Sequence, residues 1–282
     1  MNLSKQKGIA DMNTFFGEKI IMAAHRGDKK NCPENTLPAF KRAIEIGSDA
    51  IECDIHQTKD GVIVMMHDHD VDRTTDGTGR VCDLTFEEIR KLDAGIKFGE
   101  QFKGTKVPTF EEFLDLVTPY SDLLLNLEIK DYPQVEGDEI AFSTVDKVIA
   151  AVEARGIGNR IMFNSFSAQL LEYVNEKYPQ YPLHGFFPMY LMSGIRYNPY
   201  DFLDYACLFP NHLENGKKVS DGKTLCPAAD FEYLHERNIR SCVCFPVDTE
   251  ENMQAAIDLG VKMFTCNDPE NAIKILKKLG YR

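Results

Sequence analysis

Ile20-Ile21-Met22-Ala23-Ala24-His25-Arg26-Gly27 is an apolar run that ends in charge, and the same device recurs down the chain. Ala50-Ile51-Glu52-Cys53-Asp54, Val62-Ile63-Val64-Met65-Met66-His67-Asp68 and Leu123-Leu124-Leu125-Asn126-Leu127-Glu128-Ile129-Lys130 read as strands that finish in histidine, carboxylate or lysine. Strand-like runs alternating with helical patterns predict a parallel sheet that is closed or covered by helices. In such folds the strand C-termini converge on one face, and ligands bind there.

Further strands are predicted at residues 160–165, 182–187, 241–247 and 261–266, which brings the count to the eight that a (β/α)8 barrel needs. A ninth apolar run, Tyr205 to Phe209, is assigned to a loop or an extra strand. Asn35 is a plausible N-cap for a helix with Pro38 in its first turn and Gly47 at its end. Thr85 with Glu88 and Thr109 with Glu112 read as capping boxes. Later helices are expected near 138–154, 168–178, 229–237 and 249–259, with a last one from Asp268-Pro269.

Only fifteen residues separate Glu52 from His67, too few for a strand, a helix and another strand. If both strands point the same way, residues 55–59 must run back extended and turn at Asp60-Gly61. An antiparallel hairpin would put His67 at the wrong end. The charged, glycine-rich stretch that follows is too long for an ordinary βα loop. The predicted organisation is therefore one TIM-barrel catalytic domain over 1–282, with an inserted segment at about 68–106.

Bulk composition narrows the function. The 282 residues are 43% hydrophobic and carry a formal charge of -12, which argues against a nucleic-acid or anionic-membrane partner. An anionic substrate would need local positive charge. The eight cysteines show no C-x-x-C pair and no framework spacing, so reduced thiols in a cytoplasmic protein are expected. The polar stretch from Met1 to Glu18 lacks the apolar segment of a signal peptide, and no run is long enough to span a membrane.

Glu52 and Asp54 are two apart on a strand and project to one face, while Cys53 points to the other. Two carboxylates packed this closely need a raised pKa on one of them or a cation between them. Glu128 would supply a third ligand. Such an oxygen-rich set suits Mg²⁺ or Ca²⁺, with Mn²⁺ a third candidate. Any one E-x-D pair usually meets a surface lysine or arginine instead; the coincidence with the histidines and Lys130 overturns that reading. His25 and His67 suit a pair of imidazoles flanking a bound group, one taking a proton and the other giving one. Zinc ligation is the alternative for them, but three carboxylates would over-fill a tetrahedral site. Arg26 and Lys130 are the cations that would hold phosphate oxygens. His56, His69, His184, His212 and His235 have no comparable context and read as surface or structural. The aromatic and methionine-rich tract from Phe186 to Phe202 offers an alcohol-binding wall, a homo-oligomer contact or, most commonly for such tracts, rim packing.

These residues make the chain resemble the glycerophosphodiester phosphodiesterase family. The resemblance rests on His25-Arg26-Gly27, Pro33-Glu34-Asn35-Thr36 with Ala39-Phe40, Glu52-x-Asp54, Thr58-Lys59-Asp60-Gly61, His67-Asp68, Arg73-Thr74-Thr75 and Leu127-Glu128-Ile129-Lys130. Weaker matches follow at Ser165-Phe166 and Thr265-Cys266-Asn267. It implies a distorted (β/α)8 barrel with a small insertion after the third strand. It also implies divalent-metal-dependent hydrolysis of a small-molecule phosphodiester to sn-glycerol 3-phosphate and an alcohol. The family's catalytic histidines fall on His25 and His67, its metal carboxylates on Glu52, Asp54 and Glu128, and its phosphate-binding cations on Arg26 and Lys130. One departure stands out: Phe245-Pro246 replaces a Trp-Thr pair that often lines the glycerol side of the site. The competing readings are a phospholipase D-like enzyme acting on lysophospholipids and a non-catalytic phosphate-ester binding barrel.

Overall fold

The structure is a computed structural model that describes residues 19–208, 212–214, 217–219, 226–244 and 249–282. Among these, eight parallel strands close into a ring: β1 (Ile21–His25), β2 (Ala50–Gln57), β4 (Leu124–Ile129), β5 (Ile161–Asn164), β6 (Leu183–Phe187), β7 (Tyr205–Leu208), β10 (Arg240–Val243) and β11 (Met263–Cys266). Pairing of β1 with both β11 and β2 closes the barrel. A separate antiparallel ribbon joins β8 (His212–Glu214) to β9 (Lys217–Val219). The fold is the expected (β/α)8 barrel, but two strands differ from the sequence-based assignment.

The run expected to re-enter the barrel, Val62–Asp68, is not a barrel strand. Its β3 segment (Ile63–Met65) pairs antiparallel with β2, with Ile55 opposite Met65 and Gln57 opposite Ile63. The eighth place in the ring is taken by Tyr205–Leu208, the run assigned to a loop or extra strand. Antiparallel pairing nevertheless delivers His67 to the correct rim, because β2 is eight residues long and overshoots the barrel. The chain climbs to a turn in which Gly61 has φ +82° and its N–H bonds to the Thr58 carbonyl at 2.9 Å. It then descends until the Met66 N–H meets the Asp54 carbonyl at 3.1 Å. The hairpin thus stands on the mouth, and its returning leg ends beside the carboxylates.

Helices pack outside the ring as the apolar periodicity predicts. The first, α1 (Leu37–Glu45), buries Ala39, Phe40 and Ala43. Its N-cap position is Thr36 rather than Asn35, whose φ of +54° takes it out of the cap and turns its side chain toward β2. Both predicted capping boxes form, at the starts of α2 (Phe86–Lys91) and α3 (Phe110–Val117). Phe113 of α3 meets Phe40 edge-on with ring centroids 4.7 Å apart, joining these helices in the core. The remaining helices of eight residues or more are α4 (Asp138–Ala154), α5 (Ala168–Lys177), α6 (Ala228–His235), α7 (Glu250–Asp258) and α8 (Pro269–Lys278), all close to the predicted spans. The inserted stretch after β3 has a small core of its own, in which Val64, Val71, Val81 and Ile89 are fully or almost fully buried. Among the described residues, no helix is long and apolar enough to cross a membrane.

The overshoot of β2 is anchored by Asp131, which lies just past β4 and is fully buried. One of its oxygens lies 2.5 Å from His56 Nδ1, and the other accepts from the Gln57 N–H and the Thr144 hydroxyl at 2.7 Å each. Replacing it by alanine strands three buried polar groups on two elements, so Asp131→Ala should cost on the order of 3 kcal/mol. Urea unfolding measures this; a loss below about 1 kcal/mol would mean that the hairpin stands without its anchor.

Candidate functional site

Register decides which side chains face the barrel interior. His25 is level with Glu52, Glu52 with Asn126, and Asp54 with Glu128. His25, Glu52, Asp54 and Glu128 therefore share one mouth. One carboxylate oxygen from each of Glu52, Asp54 and Glu128 lies within 4.8 Å of the other two, and all three residues are buried. This is the trio that the sequence singled out.

Each carboxylate has one oxygen committed to the scaffold. Glu52 Oε2 accepts from the Arg26 N–H at 3.0 Å, Asp54 Oδ2 from Asn35 Nδ2 at 2.7 Å, and Glu128 Oε2 from Asn164 Nδ2 at 3.4 Å. The Glu52 Oε1 and Asp54 Oδ1 atoms are buried without a hydrogen-bond partner. Lys130 compensates part of this charge: its ammonium lies 3.2 Å from Asp54 Oδ1 and bonds to Glu128 Oε1. It also sits 5.2 Å from the centroid of the Phe166 ring. Burial first, then repulsion from Asp54 and Glu128, pushes the Glu52 carboxyl well above the usual range. Burial would raise Asp54 too, but Lys130 and Arg26 outweigh it and hold that carboxyl below its ordinary value. Three carboxylates against two cations leave excess negative charge in a dry site. A bound divalent cation removes that conflict, and the unpartnered hard oxygens fit Mg²⁺ or Ca²⁺.

The two imidazoles are held differently. His25 ends β1, with Nδ1 2.6 Å from Asn267 Oδ1 and Nε2 3.8 Å from Glu52 Oε2. Because an amide oxygen only accepts, Nδ1 carries the proton and Nε2 is left as the basic atom. His67 instead has Nδ1 2.5 Å from Asp68 Oδ1. Burial is the main cause that lowers both rings, His25 to about 3 and His67 to about 4.

Arg26 adopts φ +60°, and Gly27 follows at φ +78°. A β-carbon on Gly27 would lie 2.7 Å from the Ala39 carbonyl carbon, so this turn against α1 requires glycine. The turn aims the Arg26 guanidinium back over the mouth, with Nε 3.3 Å from Asp54 Oδ2 and Nη1 2.8 Å from Glu34 Oε1. Glu34 in turn meets Arg73 at 2.6 Å, and Arg73 meets Asp68 at 2.5 Å. Alternating charges thus run from Asp54 through Arg26, Glu34, Arg73 and Asp68 to His67. Burial opposes ionisation of Glu34, but its hydrogen bond to Arg73 prevails and draws the carboxyl down to about 2.

The structure therefore gathers His25, Arg26, Glu52, Asp54, His67, Glu128 and Lys130 at one rim. Phe245 lies outside the described residues. The roles of Asn35, Asn164 and Asn267 were not foreseen, although Asn35 and Asn267 lie within the quoted motif stretches. An asparagine carries no charge signal, and what it touches depends on a loop's path. In the tract beyond Phe186, that residue's ring stacks on Phe166 with centroids 3.6 Å apart, while the exposed Tyr190 ring lies 6.2 Å from the Phe166 ring.

With this geometry in hand, comparison with known proteins gives a consistent result. The model of the glycerophosphoryl diester phosphodiesterase family matches residues 25–271. A glycerophosphodiester phosphodiesterase from Caldanaerobacter subterraneus subsp. tengcongensis is 37% identical over 271 residues, covering 93% of this chain and 100% of that protein. Another from Bacillus altitudinis is 31% identical, covering 91% of this chain and 98% of its own. Among solved structures, an Oleispira antarctica phosphodiesterase in complex with the product sn-glycerol-3-phosphate is similar with a TM-score of 0.74 and 19% identity, over 91% of this chain and 96% of that one. Neither the match nor the site leaves the lineage open, and the chain belongs to the glycerophosphoryl diester phosphodiesterase family.

Proposed function

We propose that this chain hydrolyses glycerophosphodiesters to sn-glycerol 3-phosphate and an alcohol in a divalent-metal-dependent reaction. The observation that carries the proposal is the buried trio Glu52, Asp54 and Glu128 at the same mouth as two imidazoles and two cations. Family membership supports the substrate class. The whole of 1–282 is taken as one catalytic unit, since the inserted segment lends Arg73 to the site and the hairpin before it lends His67.

Glu52, Asp54 and Glu128 would hold the cation, Mg²⁺ or Ca²⁺. When bound there, it supplies Lewis-acid polarisation of the phosphoryl group and neutralises developing charge. Arg26 and Lys130 bind the non-bridging phosphate oxygens and stabilise the extra charge of the transition state. His25, neutral with Nε2 free, removes a proton from the attacking water. As the new P–O bond forms, the bond to the alcohol breaks, and the departing oxygen takes its proton from His67. This division follows from what stands behind each ring. Burial lowers both rings, but less at His67, where the Asp68 carboxylate opposes it, than at His25, to which Asn267 offers only an amide oxygen; of the two, His67 is the better placed to carry the proton that is given up. Phe166 and Tyr190 offer the alcohol moiety an apolar wall.

His25→Ala and His67→Ala should each lower turnover of glycerophosphocholine by about 10²- to 10⁴-fold with the fold retained. A nitrophenyl ester, whose leaving group needs no proton, should largely rescue His67→Ala but not His25→Ala. Equal rescue of both would reverse or dissolve the assignment, and wild-type turnover by either variant on the natural ester would end it. EDTA should abolish release of glycerol 3-phosphate, and Mg²⁺ or Ca²⁺ should restore it; full activity in metal-free protein would contradict the role given to the three carboxylates.

A further inference from the structure

The half of the barrel opposite the carboxylates holds a second set of ligand-type side chains that the reaction does not use. His184 on β6, Cys207 on β7 and Cys242 on β10 point into the ring from successive strands, with Cys207 and Cys242 in direct register. One donor atom from each lies within 4.8 Å of the others. All are essentially inaccessible, His184 at 1% and both cysteines at 0% exposure. Cys244, two residues beyond Cys242, adds a fourth: its Sγ is 3.2 Å from the Cys207 Sγ, well beyond a disulfide bond of about 2.05 Å.

A second observation points to a ligand. His184 Nε2 is buried without a hydrogen-bond partner, and so is Asn126 Oδ1 beside the same ring. Asn126 Nδ2 lies 3.1 Å from His184 Nδ1. Turning the Asn126 amide by half a rotation lets its oxygen accept from Nδ1–H. The lone pair of Nε2 is then directed away from the amide and available for coordination. A ligating histidine whose other nitrogen donates to a carbonyl is the arrangement that holds metal-bound imidazoles in place. Without a ligand, an orphaned ring nitrogen in this interior is a net cost.

We propose that His184, Cys207, Cys242 and Cys244 form a buried zinc site that staples β6, β7 and β10 from within the barrel. The donors are soft, so they favour Zn²⁺ over the Mg²⁺ or Ca²⁺ suited to the carboxylates across the barrel. A Cys₃His set fills a tetrahedral shell completely, which makes the site structural rather than catalytic. Loading releases the three thiol protons to solvent and leaves one net negative charge among the donors and the ion.

The test is independent of hydrolytic activity. Full-length protein is produced in zinc- or cobalt-supplemented medium, kept reduced and passed through an EDTA-containing column. Wild type and a Glu52→Gln/Asp54→Asn variant should both retain about one zinc per chain. The cobalt form should show a thiolate-to-metal charge-transfer band and the d–d absorption of a tetrahedral centre. Cys207→Ala/Cys242→Ala should lose the metal, and Cys244→Ser alone should shift the cobalt spectrum. The wild-type spectrum decides the matter even if the double variant does not fold. Folded wild type with only trace zinc, cobalt bound without a thiolate band, or a Cys207–Cys244 disulfide in the mass map of the reduced preparation would overturn the site.

Discussion

Burying three carboxylates within a few ångströms of one another is the constraint around which this barrel is organised. Ionised carboxylates are expensive to desolvate, and close neighbours of like charge add to the cost. The chain answers with two buried or half-buried cations placed directly on the trio, Lys130 and Arg26. Each cation has a structural cause in the sequence. Lys130 is two residues after Glu128 at the end of the same strand, so both side chains face inward. Arg26 reaches the trio because its own left-handed backbone and Gly27 fold the chain sharply at the end of β1.

The relay from Asp54 to His67 shows how this local solution spreads. Arg26 cannot serve the carboxylates unless its guanidinium is fixed, and Glu34 fixes it. Glu34 is itself neutralised by Arg73 from the inserted segment. Arg73 also holds Asp68, the partner of the second imidazole. The insertion is therefore joined to the barrel through the site's electrostatics as well as through the small core beneath it. A charge lost anywhere along the relay alters the surroundings of both Arg26 and His67.

The barrel and its charged rim were legible because strands ending in His, Glu, Asp or Lys violate the ordinary apolar pattern, and a violation is easy to see. The hairpin was not. An antiparallel pairing of residues 55–57 with 63–65 looked incompatible with His67 at the mouth, since nothing local reveals that β2 runs past the rim before turning. Counting residues 62–68 as a barrel strand gives eight without Tyr205–Leu208, the strand that actually closes the ring. The type and position of Asn35 favour a helix cap. Its actual task, bonding to Asp54, depends on a positive φ that only the packed turn enforces. His184 looked unremarkable because its neighbours, Cys207 and Cys242, come from strands that periodicity either mis-assigned or could not align in register.

The two ligand sets divide the barrel by donor hardness as well as by position. β1, β2 and β4 contribute oxygens with cations beside them, while β6, β7 and β10 contribute sulfur and nitrogen near the centre of the ring. Eight strands around one axis allow this only because inward positions alternate strictly with outward ones, so that Cys53 between Glu52 and Asp54 faces the helices and never meets the interior thiols. Asn126 is one of the places where the halves meet: it is level with Glu52 on one side and bonds to His184 on the other. A substitution at Asn126 would disturb both sets at once, through the packing beside Glu52 and through the orientation of the His184 ring. An amide suits that position because it has donor and acceptor atoms for both neighbours and brings no further charge into an interior already crowded with it.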